Sequence, residues 1–380
     1  MNKIYLFTAA FAVMASLSGC SDTELASIDT AQEKTPIGFH TVGSQMGSRA
    51  TSINTEKLKG YSFNVYAFNR KDDGSDGDVF MGIDDTSADG VNISYQEGKW
   101  NYTTPTDRKY WPTNALNFYA VSPYSPLYSW QITNNKREIT YASYDEYGGD
   151  GSLTYTDVMY AFAPNKRKAD NGGTVQLQFK HITSQIVFMA KKQPIENLNV
   201  EIKSIKLHNF ETSGVFTIPT NRPDLQPQQS DWTPQPITNH SGFTVINMKD
   251  DPKITISTDA TDISLSKPMF LIPQQLNAWN PSHDINTANS NNESYLSIEC
   301  KISIDGSNII DTETTGDKLY VPFGADWQPG KRYVYTLVFG GGYDADGKPI
   351  LLPINFEPSV EEWVEDGGNT TTGNDIPLYQ

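Results

Sequence analysis

Apolar and polar residues alternate in short stretches along this chain, and glycine and proline separate the stretches. Val175-Gln-Leu-Gln-Phe-Lys180 alternates strictly, and Tyr61–Phe68 places Tyr61, Phe63, Val65 and Ala67 on one side of an extended segment. A period of two residues sends successive side chains to opposite faces of a β-strand, whereas an amphipathic helix needs a period near 3.6. No long segment of the sequence has the helical period, so the pattern predicts an all-β fold.

Length and composition indicate many short strands in two domains. The chain has 380 residues, of which 12% are aromatic, and its 28 Gly and 22 Pro fall mostly between the apolar runs. Compact domains usually hold about 100 to 200 residues. A charged and then glycine-rich stretch at 166–173 is the best boundary, which predicts one β-sandwich over 50–172 and another over 173–380.

The alternation also locates individual strands. In the first half we predict Pro36–Val42, Tyr61–Phe68, Val91–Tyr95, Lys99–Tyr102, Leu116–Val121 and Asp157–Phe162. In the second half we predict Val175–Lys180, His181–Phe188, Glu201–Phe210, Ser213–Ile218, Ser264–Ile272, Tyr295–Ile304, Lys331–Phe339, Ile350–Phe356 and Ser359–Trp363.

The N-terminus carries an export signal. Lys3 is followed by an apolar stretch, Ile4–Leu17, which is shorter than the roughly 20 residues that a membrane-spanning helix needs. It ends in Leu17-Ser-Gly-Cys20, which resembles the bacterial lipobox. We therefore predict a signal peptide over 1–19 and a lipid on Cys20, while an ordinary signal with an accidental cysteine is the alternative.

The residues after Cys20 start a polar, acidic stretch. Ser21-Asp-Thr-Glu24 resembles the tether of lipoproteins displayed on the outer face of the outer membrane, although a flexible linker has the same composition. If Cys20 carries lipid, an intramolecular disulfide with Cys300, the second cysteine, is excluded. Cys300 lies in an alternating stretch, where we expect it to be a small buried apolar residue.

The net charge limits the partners. The formal charge is −16, and it becomes −17 when the signal peptide with its single charged residue, Lys3, is removed. Nucleic acids and anionic membranes are bound by clustered lysine and arginine, so neither is expected as a direct partner. The only membrane contact that we predict is the lipid anchor.

An arginine lies behind the first predicted strand. Pro36–Val42 places Ile37 and Phe39 on one face, and the polar segment 43–51 follows it. Such a segment packs poorly, so Arg49 is predicted to be exposed in a loop where proteases can reach extended backbone.

Several motifs together resemble the fimbrillin-like family. They are Ile37-Gly-Phe39, Ser48-Arg-Ala-Thr51, Phe179-Lys-His181, Ser184-Gln-Ile186, Leu271-Ile-Pro-Gln274, Trp327-Gln-Pro-Gly-Lys-Arg-Tyr333 and Ile354-Asn-Phe356 with Trp363. Each motif is short, but their order on a chain with a lipobox is specific, and the resemblance extends over about residues 37–363.

The resemblance implies a subunit of type V pili. Such subunits consist of two transthyretin-like β-sandwiches, reach the outer membrane as lipoproteins and assemble into fimbriae with other fimbrial subunits after proteolysis. A maturation protease with arginine specificity would cut between Arg49 and Ala50. The segment 20–49, with the strand that contains Ile37 and Phe39, would then be released.

Removal of this strand would leave a groove that a strand from a neighbouring subunit can fill. The tail 365–380 is a candidate donor because Ile376 and Leu378 alternate, and Pro377 restricts it to edge pairing. A last strand of its own domain, or a frayed end, is an equal alternative. The sequence does not place the subunit in the shaft, at the tip or at the base, and a tip subunit would be the one to carry adhesion.

No catalytic constellation can be assembled from the sequence. The five histidines show no His-x-x-x-His spacing, no nucleophile elbow or phosphate-binding glycine loop is present, and Glu361 and Glu362 are adjacent and would point to opposite faces of a strand. His181 is expected to be a hydrogen-bonded structural residue. We therefore predict no enzyme, no cofactor and no metal site.

Two acidic loops and two aromatic pairs support weaker alternatives. Asp72, Asp73, Asp76 and Asp78 form one loop and Asp344-Ala-Asp-Gly347 another, but neither completes a calcium-binding pattern. Tyr110-Trp111 and Tyr128 with Trp130 could stack on sugars. The rival function is thus an outer-membrane surface lipoprotein that keeps its lipid and binds glycans without polymerising.

Overall fold

The computed structural model describes residues 34–42, 55–84, 89–123, 129–133, 135–143, 157–237, 240, 242–248, 254–264, 269–340 and 354–362. The strands from Gly38 onward belong to one unit, Thr35–Gln380. Among the described residues no helix is long and apolar enough to span a membrane.

The first half of the described chain is built almost entirely of strands. They are β1 (Gly38–Val42), β2 (Ser62–Arg70), β3 (Asp76–Met81), β4 (Val91–Gln96), β5 (Lys99–Tyr102), β6 (Leu116–Ser122), β7 (Ser129–Ile132), β8 (Arg137–Ala142), β9 (Met159–Lys166), β10 (Thr174–Gln178) and β11 (Lys180–His181). One helical turn, α1 (Thr55–Leu58), precedes β2, and 3-10 turns lie at Pro105–Asp107 and Asp170–Gly173.

The second half continues in the same way. Its strands are β12 (Ser184–Lys192), β13 (Leu198–His208), β14 (Ser213–Thr217), β15 (Trp232–Pro234), β16 (Phe243–Asn247), β17 (Ile254–Thr255), β18 (Thr261–Asp262), β19 (Met269–Leu271), β20 (Gln275–Leu276), β21 (Tyr295–Ile304), β22 (Ser307–Asp311), β23 (Leu319–Pro322), β24 (Ala325–Asp326), β25 (Lys331–Phe339) and β26 (Ile354–Glu362). The helices are α2 (Ile285–Ser290) and α3 (Thr312–Thr315), with a 3-10 turn at Gln229–Asp231.

The predicted all-β fold is confirmed, and the strands form layered sheets. The large sheet of the first half has the order β11-β9-β6-β2-β4-β5, with β3 also on β2, and the short sheet β1-β10 packs against one of its faces. In the second half, the sheet β18-β12-β25-β26 packs on the sheet β16-β13-β21-β22. Each pair of layers encloses an apolar core, which is the arrangement of a β-sandwich.

A third apolar cluster lies on the other face of the large sheet. It joins residues of β2, β6 and β9 to the sheet β15-β14-β8-β7, and its largest members include Tyr66, Tyr160 and Phe216. The strand β2 is consequently buried on both sides, since Phe63, Val65 and Ala67 face one core while Tyr66 and Phe68 face the other. The sequence pattern predicted only the first of these faces.

Two other predictions need correction. Tyr61 does not belong to the buried face of β2, because the strand begins at Ser62 and Tyr61 is 42% exposed. The strand predicted over Ser264–Ile272 is reduced in the described residues to Met269–Leu271, just before Pro273. Proline has no backbone N–H to donate to a sheet.

Candidate functional site

The strand β1 and the residues just before it lie between two segments, β10 and Lys109–Trp111. We call the groove between these segments the seat of β1. The strand β1 pairs with β10 in parallel, from Gly38 opposite Thr174 to Val42 opposite Gln178. At the start of β1, Pro36 forms an antiparallel bridge with Tyr110. The N–H of Ile37 donates to the carbonyl oxygen of Lys109 at 2.9 Å, and the N–H of Trp111 donates to that of Thr35 at 3.0 Å.

Two side chains fix β1 in the core. Ile37 is 1% exposed and Phe39 is 7% exposed. The ring of Phe39 lies 6.3 Å from that of Phe63, 5.8 Å from that of Tyr102 and 6.2 Å from that of Phe118, measured between centroids. Burial of a large apolar side chain contributes about 1.5 to 3 kcal/mol, so these two residues are the main apolar anchors of the strand.

A tyrosine hydroxyl ties the strand to its surroundings. The hydroxyl of Tyr102, at the end of β5, donates to the carbonyl oxygen of Ile37 at 3.1 Å. Burial raises the pKa of Tyr102 to about 12, so the phenol stays protonated and can donate at any physiological pH.

The indole of Trp111 closes the same end of the seat. Its Nε1–H donates to the carbonyl oxygen of Gly173 at 2.8 Å, and its ring lies 5.8 Å from that of Phe118. Gly173 has φ of 84°, and a Cβ atom there would come within 3.1 Å of the indole Nε1 and 3.2 Å of Thr35. Glycine is required at this position for both reasons.

Only part of the predicted site lies in the described residues. Ile37, immediately before β1, and Phe39, on β1, are both buried, as the alternation indicated. The lipidation residue Cys20, the cleavage pair Arg49 and Ala50, and the donor residues Ile376 and Leu378 lie outside the described residues. The described chain stops at Val42 and resumes at Thr55, so Arg49 belongs to the segment that directly follows β1.

The first acidic loop contains an ion pair that the sequence did not indicate. The carboxylate of Asp76 accepts hydrogen bonds from Arg137 Nε at 3.0 Å, Tyr119 Oη at 2.8 Å and Asn117 Nδ2 at 2.8 Å. The guanidinium of Arg137 also lies over the ring of Phe68, 3.8 Å from its centroid. Asp76 thus joins β8 to the large sheet.

A second carboxylate of the first acidic loop, that of Asp73, accepts hydrogen bonds from Ser75. Hydrogen bonds from the hydroxyl and N–H of Ser75 lower the pKa of Asp73. In the described ranges, no group of three or more histidine, cysteine, aspartate or glutamate side chains is placed to hold a metal ion. The second loop, 344–347, lies outside them.

His181 and Cys300 are where the sequence placed them. His181 Nδ1 lies 2.7 Å from Asp157 Oδ1, and both side chains are buried, which confirms a hydrogen-bonded structural histidine. Cys300 is buried on β21, and burial raises the pKa of its thiol to about 12. A thiol with such a pKa is not an effective nucleophile.

Of the two aromatic pairs proposed for sugar stacking, Tyr110 and Trp111 lie in the described residues and do not form a platform. Trp111 is half-buried, packs against the core around Phe118 and uses its N–H on Gly173, whereas its neighbour Tyr110 is exposed. The side chains of Tyr128 and Trp130 lie outside the described residues. The role of Trp111 in the seat of β1 was not evident from the sequence, because nothing local links it to Gly173.

Comparison with known proteins agrees with this architecture. The family model described as fimbrillin-like matches residues 48–363. This chain therefore belongs to the fimbrillin-like family. A search of the curated proteins found no match.

One of the solved structures similar to this chain supports the fold. A fimbrial protein from Bacteroides vulgatus is 17% identical, with a TM-score of 0.57 over 87% of this chain and 99% of that chain. A putative cell adhesion protein from Bacteroides ovatus is 12% identical over 88% of this chain and 99% of that one, with a TM-score of 0.48. A fimbrial assembly protein from Parabacteroides distasonis is 10% identical over 90% and 99%, with a TM-score of 0.38. The fold assignment rests on the first of these.

Proposed function

We propose that this chain is a structural, non-enzymatic subunit of cell-surface fimbriae that polymerises by strand exchange after proteolysis. The family membership supports the fimbrial role. Strand exchange is supported by the position of β1. The strand is short, it is anchored by the buried side chains of Ile37 and Phe39, and the segment that follows it contains Arg49.

In this proposal the N-terminal segment is a removable leader. The lipid on Cys20 brings the subunit to the outer membrane, and a protease with arginine specificity then cuts between Arg49 and Ala50. The cut separates β1 from the rest of the chain, so the strand is afterwards held only by non-covalent contacts. The subunit that results keeps its two β-sandwiches. The boundary expected at 172 is too early, because β10 (Thr174–Gln178) and β11 (Lys180–His181) pair with strands of the first half.

The physical chemistry of the seat explains why another strand would enter it. Loss of β1 exposes the pockets of Ile37 and Phe39, and refilling them regains about 1.5 to 3 kcal/mol for each large apolar side chain. It also leaves the backbone groups of β10 that faced β1 without partners. A strand from a neighbouring subunit satisfies both needs, and the tail with Ile376 and Leu378 is one source of such a strand.

The proposal places the protein in fimbriae at the cell surface, with other fimbrial subunits as partners. A subunit at the tip of the fibre would in addition bind host or bacterial surface glycans or proteins. Sugar stacking on Trp111 is disfavoured because its indole N–H and part of its ring are engaged within the subunit.

Replacement of Arg49 tests the proposal. We expect Arg49→Ala to leave the chain uncut, lipid-anchored and monomeric, whereas the wild type forms high-mass polymers on cells. Arg70→Ala is a matched control, because Arg70 is the last residue of β2 and does not belong to the segment that follows β1 in the sequence. High-mass polymers of the Arg49→Ala protein in wild-type amounts would refute strand exchange at this position.

A further inference from the structure

The seat of β1 has requirements that any replacement strand must meet, and they can be read from its present occupant. The second anchor position is lined by aromatic rings. Around Phe39, the rings of Phe63 and Phe118 stand at 84° and 80° to it, and that of Tyr102 at 59°. Edge-to-face contacts of this kind favour another aromatic ring over an aliphatic side chain.

The start of the strand tolerates a proline for a geometric reason. Pro36 lies opposite Tyr110, but the hydrogen bonds of this bridge are made by the residues on either side, Thr35 and Ile37. The nitrogen of Pro36 is not needed as a donor. A proline immediately before the first anchor therefore fits the seat and restricts the free strand to extended conformations.

The position between the anchors accepts a small or adaptable residue. A Cβ atom on Gly38 would lie 3.2 Å from Oγ1 of Thr174, which is a tight contact with a side chain and not with backbone. A modest movement of Thr174 would relieve it. A strand that fits the seat therefore has proline, an aliphatic residue, a residue of limited size and an aromatic residue at the four positions that residues 36–39 now occupy.

The chain contains this pattern once more. Pro353-Ile-Asn-Phe356 repeats Pro36-Ile-Gly-Phe39 with asparagine in place of glycine. The C-terminal tail, in contrast, offers Asp375-Ile-Pro-Leu378, which has an aliphatic second anchor and a proline between the anchors. A proline there removes a backbone donor from the strand interior.

We propose that the seat of β1 selects its incoming strand by an aromatic second anchor, and that the segment it takes is Pro353–Phe356 of a second copy of this chain. This inference rests on the proposed strand exchange and specifies its partner. It makes the subunit complementary to itself, so one gene product suffices for a polymer.

Residues Ile354–Phe356 of the selected segment are already paired within their own subunit. Ile354 lies opposite Phe339 and Phe356 lies opposite Leu337, at one end of the antiparallel pair of β25 and β26. Donation therefore requires β26 to leave β25. Peptides measure the preference of the seat without this cost, and full-length variants then measure donation.

The first experiment uses the full chain with a site for a sequence-specific protease placed in the segment 43–50. After cutting, labelled peptides compete with β1 for the seat: residues 34–42, residues 352–360, residues 373–380, and 352–360 with Phe356→Leu. We expect the first two to bind, and the tail and leucine peptides to bind about tenfold more weakly. Equal or tighter binding of the tail or leucine peptide would overturn the aromatic rule.

The same experiment separates this inference from the proposed function. If the peptide 34–42 fails to replace the cut β1, strand exchange itself fails. If that peptide exchanges but the seat does not discriminate, only the selectivity fails.

Full-length variants test the donor. Phe356→Ala should abolish high-mass polymers, while the cut variant still takes up the 34–42 peptide, which shows that it is folded and can accept a strand. The matched variant, Ile376→Asp with Leu378→Asp, should polymerise as the wild type does. Normal polymers from Phe356→Ala, or loss of polymers only in the tail variant, would assign donation to the tail instead.

Discussion

The hydroxyl of Tyr102 holds the backbone at the start of β1 through one hydrogen bond. It donates to the carbonyl oxygen of Ile37 within a mostly buried environment. A buried carbonyl that loses its donor costs about 1 to 3 kcal/mol. The hydroxyl is therefore expected to slow the departure of the strand without contributing to its apolar anchoring.

Tyr102→Phe tests this role. We expect the free energy of unfolding to fall by about 1 to 2 kcal/mol in urea, because the ring remains while the hydrogen bond is lost. In the cut chain, the 34–42 peptide should exchange severalfold faster. Tyr61→Phe is the control, since Tyr61 is exposed. Unchanged stability and exchange rate in Tyr102→Phe would remove the hydroxyl from the account.

His208 gives a second prediction at this scale. Its Nδ1 lies 3.0 Å from the carbonyl oxygen of His240, to which it must donate, and its Nε2 lies 2.8 Å from the hydroxyl of Ser297. The neutral ring thus has both nitrogens satisfied, and it stacks on Tyr295 at 4.5 Å. Burial, as the main cause, lowers the pKa of His208 from 6.5 to about 4.

This shift predicts a pH dependence of stability. Between pH 6.5 and 4 the unfolded chain binds a proton at this histidine that the folded chain does not, so stability falls as the pH falls. The loss reaches about 3 kcal/mol near pH 4. Urea titrations of His208→Gln should lack this part of the slope, while His40→Gln, at an exposed site, should keep it. The same slope in His208→Gln as in the wild type would contradict the assignment.

Among the structural elements, β1 is held by contacts from distant parts of the chain. Its pairing with β10 joins segments on either side of the strands β2 to β9, and its other edge meets Lys109–Trp111. None of these contacts is made by the peptide bonds that follow β1. We therefore expect cutting alone to leave the strand seated.

A cut in the segment 43–50 tests this expectation. The fragment that contains β1 should co-elute with the rest of the subunit in size-exclusion chromatography. Phe39→Ala, which removes a buried ring and is expected to cost about 3 to 5 kcal/mol, should make the fragment dissociate. His40→Ala, on the exposed side of the same strand, should not. Separate elution of the wild-type fragment would contradict the account of the seat.

The elements also show how far the sequence could predict the fold. The predicted strands Tyr295–Ile304 and Lys331–Phe339 coincide with β21 and β25, because long alternation is a local signal. The parallel partners of β1 and β12 were not predictable, since β10 and β25 are chosen by packing between distant segments. The anchors Ile37 and Phe39 were evident because alternation is local. Tyr102 and Trp111 were not, because their hydrogen bonds join distant segments.

At the scale of the whole molecule, the two sandwiches repeat one arrangement. In each, an early strand pairs in parallel with a late one, β1 with β10 and β12 with β25. The strand β25 also carries β26 on its other edge, while β10 has no second partner among the described strands. The sheet of β1 and β10 thus has fewer strands than the sheet of β12 and β25. This difference agrees with the proposed role of β1 as the exchangeable strand.

Native fibres give the most direct test of the central claim, that the segment ending at Arg49 is removed and its strand replaced. Fibres sheared from cells would be purified and examined by N-terminal sequencing and by mass spectrometry for peptides from residues 20–49. We predict an N-terminus at Ala50 and no peptide containing Ile37 and Phe39. Fibres in which the subunit begins at Cys20, or in which the β1 peptide is present in equal amount to the subunit, would contradict the account.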